Sequence, residues 1–418
     1  MDYLKIQGGN KLKGKIKVPA SKNALLPIIA CCVMIEDEVV LGDCPKLTDV
    51  DSMIEIIRSM GAKAYFSDNN LIIDSRDAKN NRIGRELTAK VRSSIFILGP
   101  LLSRYKSAEI CYPGGCEIGL RPIDLHLYGL KRLGVEIKEE QGVILCAGDN
   151  MRNDVVFLDF PSVGATENII MASVLSKGTT VIHNCAREPE IIDLANFINV
   201  MGGKVFGAGG DKIVVEGVKK LHGGKYFPLS DRIVAGTYMI ACGMCGGDLF
   251  FENLNPRYLY SLTEKLLRMG IKIVNTSSGI RVISTKRPKS FGKVETQPYP
   301  GFPTDLQAQM TALFTVSSGC SVMVENLFES RYKYAGELVK MGADLTIKDR
   351  VAIVKGVKRL RGCDVCAADL RGGASLIISA LSAEGESYVR NVYHVDRGYD
   401  EIENVLCSIG GNVKRIRV

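Results

Sequence analysis

Ile57-Arg58-Ser59-Met60-Gly61-Ala62 reads as the close of an amphipathic helix. An apolar residue is followed by a glycine suited to the left-handed position just past a helix end, where a Cβ is strained. The ending returns five times: Leu130-Lys131-Arg132-Leu133-Gly134-Val135, Ile198-Asn199-Val200-Met201-Gly202-Gly203, Leu267-Arg268-Met269-Gly270-Ile271, Val339-Lys340-Met341-Gly342-Ala343 and Leu406-Cys407-Ser408-Ile409-Gly410-Gly411. Six copies at a period of roughly 70 residues are an internal repeat. A strand leads into the helix of each copy, for example Val39 to Cys44, Thr180 to Cys185 and Ser321 to Asn326, and a strand, turn and strand follow. Further apolar helices, such as Thr166 to Leu175 and Gly373 to Leu381, accompany several units. Six βαβ-type repeats of α/β (α+β) character most simply make two domains of three, with helices inside and sheets outside or the reverse. The Pro/Gly-rich stretch Leu221 to Pro228 falls between the third and fourth repeats and is read as the hinge. An active site is then expected in the interdomain cleft.

Composition narrows the function classes. The chain has 418 residues, 46% apolar and 24% charged, as in ordinary globular proteins. Its formal net charge of +8 suits anionic small substrates. The charge is too dispersed for a nucleic-acid face, and Trp is absent. The longest apolar run, Ala24 to Ile35, contains Pro27 and falls short of the ~20 residues that span a bilayer. Met1-Asp2-Tyr3-Leu4-Lys5 lacks the pattern of an export signal, so a cytoplasmic protein with no membrane partner is expected. Thirteen cysteines, an odd number, fit reduced thiols better than a disulfide framework. Two C-x-x-C pairs, Cys242/Cys245 and Cys363/Cys366, lie far apart without the close ligand spacing of zinc modules, so no metal is expected.

Several loops carry residues suited to chemistry. Pro113-Gly114-Gly115-Cys116, running on to Arg121-Pro122-Ile123-Asp124-Leu125-His126, is the largest departure from the repeat. It places a thiol on a flexible loop near an arginine that favours thiolate or an anion. Pro161-Ser162-Val163-Gly164 opens a helix with N–H groups and a hydroxyl, either a phosphate seat or an ordinary cap. Ser21-Lys22-Asn23 opens another, where the lysine opposes the helix dipole and calls for an anion. Phe302-Pro303-Thr304-Asp305 and Ala368-Asp369-Leu370-Arg371 each place an acid at a helix start, and His394-Val395-Asp396-Arg397-Gly398-Tyr399 adds an arginine. Taken together, Lys22, Arg92, Arg121, Arg331, Arg371 and Arg397 could gather around a substrate with several negative charges.

These motifs, from Lys22-Asn23 to Arg397-Gly398-Tyr399, resemble the UDP-N-acetylglucosamine enolpyruvyl transferase family from end to end. The resemblance implies a two-domain enolpyruvyl transferase fold, three repeats per domain around buried helices. One domain is then 22–229, carrying the Cys116 loop, and the other is 1–21 with 230–418. It implies transfer of enolpyruvyl from phosphoenolpyruvate to the 3′-hydroxyl of UDP-N-acetylglucosamine, with phosphate released, at the first committed step of peptidoglycan precursor synthesis. The two substrates are the implied partners, and no cofactor is called for. Asp305 matches the base, Cys116 the acid and the target of fosfomycin, and Asp369 an electrostatic stabiliser. Lys22, Arg92, Arg121 and Arg397 match the cations around phosphate and carboxylate, with Arg331 and Arg371 on the carboxylate side. Lys22, Cys116, Asp305, Asp369 and Arg397 form the implied catalytic set. Asn23, the run Arg121, Pro122, Ile123, Asp124, Leu125, then Ser162, Val163, Gly164, Asp305 and Leu327 match the nucleotide-sugar site. The family's usual Glu-Asn-Arg-Phe-Met-His reads Glu329-Ser330-Arg331-Tyr332-Lys333-Tyr334 here, which bears on the shape of the substrate rim. The alternatives are the sister enzyme acting on shikimate 3-phosphate and a catalytically silent paralogue.

Overall fold

A computed structural model describes residues 2–114, 118–119 and 122–417. The chain divides into two compact units: a central one from Pro19 to Leu229, and a terminal one that joins the residues up to Val18 to those from Ser230 onward, with 118–119. The expected boundary at 21/22 moves three residues earlier. The Ala20 N–H donates to the Asp43 carbonyl and the Ser21 N–H to that of Leu229, which ties Pro19–Ser21 into the central unit.

The described strands form six four-stranded sheets, three to a unit. In the second repeat Arg82–Ile83 runs parallel to Ser107–Cys111. That strand is antiparallel to Val143–Ala147, which pairs in turn with Glu136–Glu140. The other repeats follow the same scheme, but three places are filled from distant chain. Gly224–Tyr226 lies parallel to Glu38–Leu41, so the stretch read as a hinge closes a sheet of the central unit and the chain leaves only after Leu229. Leu12–Lys17 supplies the parallel edge beside Gly247–Glu252. Tyr3–Gln7 sits between Glu386–Arg390 and Asn412–Ile416, antiparallel to both.

Helices are inside and sheets outside in each unit. The central unit is cored by α1 (Lys22–Cys31), α2 (Leu98–Tyr105) and α3 (Val163–Ser173), the terminal unit by α4 (Arg232–Cys245), α5 (Gln307–Val316) and α6 (Leu370–Ser382). A helix apolar on all sides belongs in a core, and these six are buried over almost their whole length. Their hydroxyls turn back onto their own turns: Thr237, Thr311 and Ser379 each donate to the carbonyl four residues earlier. All six repeat-closing glycines, at 61, 134, 202, 270, 342 and 410, have φ between +83° and +98°, as the repeated helix ending predicts.

Candidate functional site

In the central unit the predicted residues cluster at helix starts. Lys22 opens α1 and is buried, and its Nζ donates to Asp49 Oδ2 at 3.0 Å. Asp49, buried at the start of the Thr48–Ser59 helix, is the anion that a lysine in a first turn requires. Asn23 is half-buried beside Lys22, and Pro27, lacking an N–H, cannot close onto the Asn23 carbonyl. Arg92, half-buried, opens the 3-10 turn Arg92–Ile97 that leads into α2. Ser162 caps α3, its Oγ accepting from the Ala165 N–H at 3.4 Å, with Val163 and Gly164 half-buried in the first turn.

Pro122 and Asp124 are exposed, Leu125 is half-buried and Ile123 is buried; Asp124 opens the helix Asp124–Arg132. His126 fastens this segment to α3. Its ring lies against Gly164, where a Cβ would come within 2.8 Å, and its Nδ1 is 2.8 Å from Asn168 Nδ2. Asn168 Oδ1 accepts from the Gly99 N–H and Nδ2 donates to the Ile95 carbonyl, which fixes the amide orientation. Nδ1 of His126 therefore accepts, and the ring carries its proton on Nε2. One asparagine thus links α2, α3 and the Pro122–Leu125 segment. Cys116 and Arg121 lie outside the described residues; on the near side of that loop the Gly114 N–H donates to the Thr88 carbonyl.

The three core helices of the terminal unit start with acids. Asp231 caps α4 through the Ile233 and Val234 N–H groups. Asp369 caps α6, Oδ1 accepting from the Arg371 and Gly372 N–H groups; its buried Oδ2 has no hydrogen-bond partner among the described residues. Asp305 lies in the 3-10 turn Thr304–Leu306 that leads into α5. Its carboxylate is held by two guanidiniums, Arg331 Nη2 on Oδ1 at 2.8 Å and Arg371 Nη2 on Oδ2 at 2.9 Å. Both arginine side chains are almost wholly buried, whereas that of Asp305 is 27% exposed. Burial works against the charge on Arg371, but Asp305 and, beyond it, Tyr399 and Asp231 outweigh it and raise its pKa.

Glu325 organises the neighbouring loops from full burial. Oε1 accepts from the Thr296 hydroxyl and the Leu327 and Phe328 N–H groups, and Oε2 from the Thr304 hydroxyl. The residue before Asp305 and the half-buried Leu327 thus hang from one carboxylate. Arg397 is half-buried in a turn whose Asp396 is gripped by Arg415 through two hydrogen bonds. The altered segment is part internal and part exposed. Tyr334 is buried and donates to Gln307 Oε1, and Tyr332 reaches the Met323 carbonyl, leaving Ser330 and Lys333 exposed.

Lys22, Asn23, Arg92, Pro122–Leu125 and Ser162–Gly164 therefore belong to the central unit, and Asp305, Leu327, Arg331, Asp369, Arg371 and Arg397 to the terminal one. Asp49, Asn168 and Glu325 hold those residues but escape a reading of the sequence, and His126 and Tyr399 stand in motifs that show the residues without their partners. Asp49 resembles any acid in a helix first turn, and Asn168 and Glu325 adjoin apolar runs where nothing marks the partner.

Residues 6–406 match the family described as EPSP synthase (3-phosphoshikimate 1-carboxyvinyltransferase). Among curated proteins the chain is 47% identical over 416 residues to UDP-N-acetylglucosamine 1-carboxyvinyltransferase 2 of Caldanaerobacter subterraneus subsp. tengcongensis, covering 100% of both chains. It is 46% identical over 412 residues to the UDP-N-acetylglucosamine 1-carboxyvinyltransferase of Halothermothrix orenii, covering 99% of each. Among solved structures it superposes on the enolpyruvyl transferase NikO from Streptomyces tendae with a TM-score of 0.89 at 21% identity, covering 100% of this chain and 99% of that one. An EPSP synthase from Acinetobacter baumannii gives a TM-score of 0.77 at 19% identity, with both chains fully covered. At those identities the structural likenesses speak to the fold.

Proposed function

From the membership of this chain in the EPSP synthase family of enolpyruvyl transferases, we infer the reaction and the roles of the site residues. The chain transfers the enolpyruvyl group of phosphoenolpyruvate to the 3′-hydroxyl of UDP-N-acetylglucosamine and releases phosphate. The observation that carries this acceptor over shikimate 3-phosphate is the 47% identity, end to end, with a curated UDP-N-acetylglucosamine enzyme.

The residues divide the work of an addition followed by an elimination. The 3′-oxygen bonds to C2 of phosphoenolpyruvate as its proton passes to Asp305, whose carboxylate is held by Arg331 and Arg371. C3 takes a proton, supplied in this reading by the Cys116 thiol. The C2–O bond to phosphate then breaks, and C3 returns a proton to the Cys116 thiolate, which restores the double bond. Positive charge developing at C2 is met by Asp369, whose Oδ2 has no described hydrogen-bond partner. Lys22, Arg92, Arg121 and Arg397 take the phosphate and carboxylate of phosphoenolpyruvate. Asn23, the Pro122–Leu125 segment, Ser162–Gly164 and Leu327 take the nucleotide sugar. The reaction belongs to cytoplasmic peptidoglycan precursor synthesis, and so to cell shape and division, with Cys116 as the point of fosfomycin attack.

Phosphate release from phosphoenolpyruvate tests this reading, with UDP-N-acetylglucosamine, with shikimate 3-phosphate and with neither. Release that needs the nucleotide sugar and stops after fosfomycin treatment is expected. Release only with shikimate 3-phosphate moves the chain to the sister activity, and no release with either acceptor leaves the silent paralogue.

A further inference from the structure

We propose that the Tyr399 hydroxyl is a positioning group for the transfer reaction: it orients Arg371 on Asp305 and anchors the turn that carries Arg397. The proposal rests on the site reading above.

Proton accounting sets the direction of the contacts. Thr237 Oγ1, inside α4, donates to the Ile233 carbonyl at 2.9 Å, so its one proton is committed. In its 2.7 Å contact with Tyr399, Thr237 must therefore accept and the phenol must donate. The phenol oxygen is left to accept, from Arg371 Nη1 at 3.4 Å and Gln309 Nε2 at 3.3 Å. Gln309 Nε2 also donates to Thr237 Oγ1 at 3.0 Å, closing a triangle between α4, α5 and Tyr399. Were the Tyr399 proton turned toward Arg371, it would face a cation and lose its acceptor. The chain thus runs one way, from Arg371 through Tyr399 and Thr237 to the Ile233 carbonyl.

Packing holds the phenol where this requires. Tyr399 is 2% exposed, edge-on to Tyr238 with ring centroids 6.5 Å apart, and the Arg371 guanidinium carbon lies 5.7 Å from its ring centroid. With Nη1 directed to the phenol, Nη2 of the planar guanidinium is aimed at Asp305 Oδ2. Two residues upstream lies Arg397, and the Tyr399 N–H donates to the Val395 carbonyl, so the anchored ring also fixes that turn.

The test is steady-state kinetics of Tyr399→Phe, which keeps the ring and removes the hydroxyl, beside Arg371→Lys and the double variant. Tyr399→Phe should lower kcat about tenfold with the KM for UDP-N-acetylglucosamine within about twofold, since misaimed catalytic groups cost turnover before acceptor binding. In the Arg371→Lys background the same change should cost less than about twofold, because the two act as one unit. Wild-type kcat in Tyr399→Phe, or full additivity with Arg371→Lys, overturns the proposal. Thr237→Val removes the next link without touching Tyr399. It should lower kcat about threefold with the same dependence on Arg371, and it decides the matter if Tyr399→Phe does not fold. Asp305→Ala separates the two readings: if it stays active, the role given to Asp305 fails, whereas if it is inactive while Tyr399→Phe is unaffected, only the positioning role fails.

Discussion

Asp305 is held at both oxygens by buried arginines while its own side chain stays 27% exposed. Asp305→Ala should lower kcat by about 10³-fold or more, as loss of a general base with its electrostatic partners does; turnover within a few-fold of wild type removes the assignment. Cys116→Ser should lower turnover sharply, since a serine hydroxyl is a far weaker acid than a thiol; unaltered phosphate release means another acid serves. Glu167 has a different consequence. It is fully buried, neither oxygen has a hydrogen-bond partner among the described residues, and burial, with Glu190 and Glu188 beyond it, pushes its carboxyl well above the usual carboxylate range. The folded chain keeps a proton there that the unfolded chain releases above about pH 4–5. The stability from this group is therefore present at low pH and falls as pH rises toward the folded value. Glu167→Gln should flatten the pH dependence of urea unfolding above about pH 5, by up to about 1.4 kcal/mol per pH unit. Unchanged slopes would mean the carboxyl is ionised and partnered.

The elements repeat one solution: helix, left-handed glycine, hairpin, and a parallel edge strand. The closing glycines differ in what surrounds them. At Gly270, with φ +87°, a Cβ would meet nothing within 4 Å, so only the backbone resists a side chain there. At Gly134, with φ +83°, a Cβ would come within 2.7 Å of the Asn150 carbonyl oxygen. Gly270→Ala should then cost about 1–2 kcal/mol, and Gly134→Ala more, about 3 kcal/mol, because backbone must also shift. Equal costs in chemical unfolding would show that the loop after residue 148 yields freely. The same accounting explains the capping acids. A helix start leaves N–H groups unsatisfied, and Asp231 and Asp369 satisfy them, so each acid is half structural. Asp305 differs from these in giving one oxygen to each of two arginines.

At the scale of the chain, the first residues are structural. Tyr3–Gln7 is an inner strand of its sheet, with Leu4 and Ile6 fully buried. Deleting residues 1–7 removes two core side chains worth about 1.5–3 kcal/mol each and orphans strand hydrogen bonds on both sides. The truncated chain should be mostly insoluble, or melt more than about 10 °C lower; an unchanged melting temperature would refute the pairing.

The repeat count and the six glycine ends were legible in the sequence because they follow from local physics, a 3.6-residue apolar period and a backbone angle that glycine adopts readily, whereas which layer lies inside came only with the family resemblance. The helix-start motifs were legible too, since each is a few consecutive residues. What could not be read was partnership across distance. Lys22 finds its anion in Asp49, Asp305 shares its two oxygens between Arg331 and Arg371, and Asn168 and Glu325 each join segments far apart in the chain. The stretch from 221 to 228 showed the same limit, looking like a linker when it supplies an edge strand. By itself the sequence determined which elements form and what chemistry they carry. Only the tertiary structure decided which charge answers which, because a buried charge is stabilised by whatever group the fold brings within hydrogen-bond reach.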